Sequence, residues 1–162
     1  GYRRLTIPAD GTPAKPVRLR NSYVIVPTSF EKDAEGNVVC VHADYLPETK
    51  SGTAGADSVK TKAAIHWLDA QTAVPAQFRM YDRLFTVPQP DSAEDFLDVL
   101  NRDSKFVSQG FVEPNVAAAA PETRYQFERV GYFVTDIKDH SADHPVLNLA
   151  VGLRDSWGKN AK

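Results

Sequence analysis

Arginine is clustered along this chain. It occurs as Arg3-Arg4, as Arg18 and Arg20, and as Arg79 and Arg83 with Tyr81 between them. Single-stranded RNA is held by such mixtures: Arg for phosphates and base edges, aromatics for splayed bases, Gln or Asn for a Watson–Crick edge. Arg suits the task better than Lys because its planar fork addresses a guanine edge or a phosphate with two hydrogen bonds. In an extended chain Arg18 and Arg20, two apart, leave the same face. The run Tyr125-Gln126-Phe127-Glu128-Arg129 has a similar logic. If it is a strand, Phe127 and Arg129 share one face, while Gln126 and Glu128 share the other and are free to meet a ligand. A strand face turned from a core is also ordinarily solvated by charge, so spacing alone leaves both readings open.

Two other groupings resemble catalytic or metal chemistry. Asp139-His140-Ser141-Ala142-Asp143-His144 offers two carboxylates and two imidazoles for a zinc-like ion. It precedes Pro145 amid polar residues with no companion ligand cluster, which reads as a solvated loop. Cys40 and His42 face one side of a strand, but no acid lies nearby in sequence to orient the imidazole for a nucleophilic thiol. His66 beside Trp67 reads as a packed strand histidine. Neither a phosphate-binding G-x-x-x-x-G-K-[ST] loop nor a dinucleotide fingerprint occurs.

The 162 residues suffice for one ordinary domain or two small ones, and an apolar fraction of 42% supports a core. A net charge of −2 with a pI near 6.1 excludes a globally basic nucleic-acid binder. An anionic partner must then be held by local clusters. No apolar run approaches the ~18 residues of a membrane span. One cysteine rules out an internal disulfide and fits a reducing cytoplasm. The chain opens on Gly1-Tyr2-Arg3-Arg4, so a segment of a longer protein is expected.

The elements that must position these residues are mostly strands. Alternation and β-branched content predict strands over 17–26, 38–43, 60–68, 77–85, 105–111, 124–129, 131–136 and 146–153. Residues 33–37 have hairpin chemistry, with Gly36 free to take positive φ, and 51–57 reads as a mobile polar loop. One helix is expected over 93–100, capped by Asp91-Ser92, with Phe96, Leu97 and Leu100 on one face. The pattern indicates an all-β chain of two small barrels or sandwiches, 1–88 and 89–162, joined near Pro88 and Pro90.

Eight stretches carry a resemblance across nearly the whole chain: VRLRNSYVI, EKDAEGNVV, IHWL, MYDRLFTVPQP, EDFLDVLN, QGFVEP, YQFERVGYF and VGLRDSW. Their identity and order resemble the C-terminal anticodon-binding region of class I glutaminyl-tRNA synthetases. The resemblance implies two six-stranded barrels of the ribosomal-protein L25-like kind with N-terminal strands exchanged between them. A chain lacking some of those strands would expose an unpaired edge and an apolar patch. It implies tRNA for glutamine as partner, no metal or cofactor in this region, and ATP and Mg in a catalytic domain upstream. It also implies a cytoplasmic enzyme whose glutamine attachment is performed outside this segment. Arg4 then matches the arginine that reads the third anticodon base, a guanine, with Arg3 standing where the family usually has Lys. Arg18 and Arg20 match arginines beside the first base and its phosphate. Gln126 matches the glutamine reading the second base, a uracil, with Arg129 close by. Departures are a longer segment over 6–16, Ala63 at a common glycine and Leu149 at a common arginine. The alternative reading is an L25-like structural protein that binds 5S rRNA.

Overall fold

A computed structural model describes residues 5–8 and 12–153. Arg3 and Arg4 lie outside the described residues. The chain forms two compact units, Gly1–Trp67 and Leu68–Lys162. The division falls upstream of the proline-rich joint expected near 88–90, because the strand over 74–81 pairs with later strands and not with earlier ones.

The first unit is a four-stranded mixed sheet in the order β3-β2-β1-β4, with β1 Val17–Leu19, β2 Val24–Lys32, β3 Val38–Leu46 and β4 Ala64–Ile65. The stretch 17–26 is therefore two strands and a turn, a correction to the single strand expected. Arg-Asn-Ser supplies the break: Asn21 adopts φ 55°, and the Ser22 N–H donates to the Leu19 carbonyl at 3.0 Å. Asn tolerates this left-handed conformation better than most residues. Arg20 thus sits in the turn and does not share a strand face with Arg18.

Val17 and Val24 are fully buried, whereas β2 and β3 run on from Thr28 to Leu46 with no buried residue. That part is a projecting hairpin arm. Its tip forms as expected: Gly36 has φ 85°, and Asp33 accepts from both the Asn37 backbone N–H and its side-chain amide. The hydrogen bond donated by the Asn37 side-chain amide lowers the Asp33 pKa. The expected strand over 60–68 shrinks to β4, leaving His66 and Trp67 exposed.

The second unit is a five-stranded mixed sheet in the order β6-β5-β9-β8-β7. Its strands are β5 Val74–Tyr81, β6 Lys105–Val112, β7 Arg124–Phe127, β8 Gly131–Thr135 and β9 Val146–Gly152. Pro75, expected to separate strands, lies inside β5. The Gln77 N–H reaches the Pro145 carbonyl on the β9 side, so the nitrogen of Pro75, two residues earlier, faces the same side beyond the paired segment 77–79. An absent N–H there breaks no ladder bond.

The core unites Ala76, Val112, Phe133 and Leu147 with Val116 and Ala117 of α1, Pro114–Ala117. Phe78, Phe127 and Phe133 meet edge to face at centroid distances of 5.0 to 5.7 Å.

The expected helix is not present. Residues 93–100 are not helical; a 3-10 turn at Pro90–Ser92 leads into further turns. Asp95 Oδ1 accepts from the Leu97 N–H, an alternative to helical bonding. Thr86 and Asn101 then bond to Val99 and Leu84, drawing the end of the segment into a bridge between Phe85 and Leu100. A lone eight-residue helix has too little propagation to offset its nucleation cost against such bonds. Neither sheet closes into a barrel among the described residues: the edges β3 and β4, and β6 and β7, are not paired with one another.

Candidate nucleic-acid interface

Arg18 projects from β1 into a cage of backbone carbonyls. One terminal nitrogen donates to Thr49 O at 2.9 Å, Ser22 O at 3.1 Å and Ser51 Oγ at 3.4 Å, and the other donates to Ala56 O. Ser51 completes the cluster by bonding Ser22 O through both its N–H and its hydroxyl. The loop over 51–57, expected to be mobile, is therefore held by a guanidinium and by turns closed by the N–H groups of Thr53, Ala56 and Ser58. Gly55 is required there, because a Cβ at that position would run into the Glu48 carbonyl. Thr49, wholly buried, accepts from the Val24 N–H at 2.8 Å and donates to Leu46 O at 2.6 Å, tying the start of β2 to the end of β3. Exposed Arg20 rides on the turn that this assembly supports. Its backbone N–H donates to Ile65 O, and its carbonyl accepts from Trp67 Nε1.

Arg79 of the third arginine cluster turns inward. Arg79 pairs with Asp136 at 3.0 Å and with Asp139, and its Nε donates to Gln77 Oε1. The bond with Asp139 raises the Arg79 pKa. Asp136 is held down to about 2, first by the Asn148 side-chain amide and then by the N–H groups of Asp139 and Lys138, with Arg79 adding to them. Tyr81 donates to Asn148 Oδ1, closing the network. Arg79 and Tyr81 are thus committed to joining β5, β9 and the loop after β8.

Gln126 is exposed on β7, while its neighbours Tyr125 and Phe127 pack on the core. Across the antiparallel pair it stands opposite Tyr132 of β8, also exposed. An amide beside an outward aromatic ring can bond a base edge and stack on a base face. Tyr132 was not among the residues singled out by sequence; its alternation out of phase with Phe133 was the available signal. Arg129 belongs to the turn between β7 and β8, with φ 64°, not to the strand, so the expected strand pairing of Phe127 and Arg129 does not hold. The structure joins Gln126 and Arg129 on one hairpin in the second unit. Arg18 and Arg20 belong to the first.

The Asp139–His144 loop is solvated as expected, except at His140. His140 is buried; its Nδ1 accepts the Val146 N–H at 3.2 Å, so Nε2 carries the proton toward Ala119 O at 3.1 Å. Cys40 and His42, expected to lack an acid, have one across the hairpin: Glu31 lies 2.7 Å from His42 Nε2.

The family described as tRNA synthetases class I (E and Q), anti-codon binding domain, matches residues 64–136, which include Gln126, Arg129 and Tyr132. The chain is 57% identical over 160 residues to the glutamine–tRNA ligases of Ralstonia nicotianae and Cupriavidus necator. It is 52% identical over 158 residues to that of Vibrio parahaemolyticus. Each comparison covers 98% of this chain but only 26–27% of the relative, so the chain spans about a quarter of the length of these curated relatives. The chain belongs with the anticodon-binding regions of class I glutamine–tRNA ligases.

Proposed function

We propose that this chain binds the anticodon loop of a glutamine-accepting tRNA in the cytoplasm. A catalytic domain elsewhere in the protein would use ATP with Mg to attach glutamine. The observation that carries this reading is Gln126, held outward beside Tyr132 by a strand whose flanking residues are anchored in the core. In this reading Gln126 reads the second base, a uracil, with Arg129 at the neighbouring phosphates, and Arg20 meets the phosphate beside the first base. Arg18 contributes through the carbonyl cage that supports that turn. Arg4, with Arg3 beside it, reads a guanine at the third base.

The same reading takes each sheet as the main part of an L25-like barrel. Support comes from an apolar cavity of about 340 Å³ lined from β5 and β6 on one side and β7 and β8 on the other, with Phe106, Phe111, Phe127 and Val130 around it. A further strand between the edges β6 and β7 would close that wall.

The test is equilibrium binding of the chain to a glutamine-anticodon stem-loop and to one with the second base changed. A preference for the matched loop is expected. Equal binding of both, or tighter binding to a 5S rRNA fragment, would overturn the reading.

A further inference from the structure

The projecting β2–β3 arm carries a convergence of donors unrelated to the surface described above. Glu31 and Cys40 are register partners, and His42 lies two residues along β3 on the same face as Cys40. The shift in register between Pro27 and Ser29 puts Ser29 opposite His42 and leaves Glu31 on that face. His42 Nε2 lies 2.7 Å from Glu31 Oε1 and 3.9 Å from Cys40 Sγ, and the three donor atoms lie within 4.8 Å of one another.

A nucleophilic thiol would need the acid on one imidazole nitrogen and the sulfur on the other. Here both neighbours address Nε2, so the acid does not orient the ring for the thiol. Donors meeting at one point suit a cation instead. We propose that Glu31, Cys40 and His42 bind one divalent transition ion of the zinc class, with water as the fourth ligand. Metal–ligand lengths of about 2.3 Å to sulfur and 2.0–2.2 Å to nitrogen and oxygen put tetrahedral neighbours roughly 3.3–3.6 Å apart. Bringing the present atoms to those separations needs shifts of roughly half an ångström for the two pairs that include His42, and of at most about 1.2 Å between Glu31 and Cys40, all within reach of surface side chains. Thiolate with imidazole favours zinc or cobalt over magnesium or calcium. Bound metal would clip the two strands of an arm that has no core beneath it.

The experiment is titration of the reduced chain with Co2+ alone, read by visible absorption. The expected result is a thiolate-to-cobalt charge-transfer band with tetrahedral ligand-field bands, saturating at one equivalent and bleached by Zn2+. Cys40→Ser should abolish the charge-transfer band. His42→Ala and Glu31→Gln should each weaken binding by about tenfold or more, with far-ultraviolet circular dichroism unchanged because all three side chains are at the surface. A spectrum that stays that of the aqueous ion, or an undiminished band in Cys40→Ser, would overturn the assignment.

Discussion

Gln126 and Tyr132 are direct cross-strand partners in the β7–β8 pair, and both side chains face solvent. Directly opposed residues have Cβ atoms only about 4.5–5.5 Å apart, close enough for one nucleotide to touch both. The two should nevertheless contribute differently. An aromatic face is sequence-tolerant, whereas an amide distinguishes base edges. Tyr132→Ala is expected to weaken matched and mismatched stem-loops alike, by about 1–3 kcal/mol. Selective loss on the matched loop alone, measured by fluorescence anisotropy, would reassign base reading to Tyr132.

Arg18 is predicted to act on stability first. Its guanidinium satisfies carbonyls of Ser22, Thr49 and Ala56 simultaneously. Hydrogen bonds to a charged group contribute about 1.5–3 kcal/mol, and Lys lacks the planar fork that reaches separate loops. Arg18→Ala and Arg18→Lys should both destabilise the chain in urea by an amount in that range. Wild-type stability in Arg18→Lys would show that the cage contributes nothing.

Arg20 supplies the contrasting case, a charge on an exposed turn. Each phosphate neutralised on a single strand contributes roughly −0.7 to the slope of log affinity against log salt. Arg20→Ala should flatten that slope by about this amount. An unaltered salt slope would remove Arg20 from the interface.

Asp136 predicts an acid limb of stability. Its folded pKa is lowered to about 2 from an ordinary 3.8 by Asn148, the N–H groups of Asp139 and Lys138, and Arg79. Because the unfolded chain takes up the proton first, the contribution is complete above pH 4 and is lost as pH falls from there through 2. The loss should be roughly 1–2 kcal/mol, discounted because solvent reaches part of the loop 136–139. Asp136→Asn should be less stable at neutral pH and less sensitive to acid over that window. Parallel curves for variant and wild type would contradict this role.

The strands of both sheets were legible from alternation, and Gln126 was correctly expected on the face opposite Phe127, because a period of two survives at the surface. The reading failed where side chains compete with the backbone. Arg20-Asn21-Ser22 turned a strand into two, and Asp95 with the Phe85–Leu100 bridge displaced a helix. Arg79 resembled an RNA contact because its partners, Asp136 and Asp139, lie more than fifty residues away in sequence. The acid beside His42 was hidden for the same reason. It comes from the facing strand, and linear spacing carries no record of register.

The most direct measurement is the uracil preference of Gln126→Ala. Wild-type chain and variant are titrated with two stem-loops that differ only at the second anticodon base, uracil or cytosine, over a series of salt concentrations. A neutral amide releases no counterion, so the salt slope should match the wild type's, while the preference for uracil shrinks by about 1–3 kcal/mol, the usual worth of a base-edge contact. An undiminished preference for uracil, or a changed salt slope, would contradict the assignment of Gln126 as the base-reading residue.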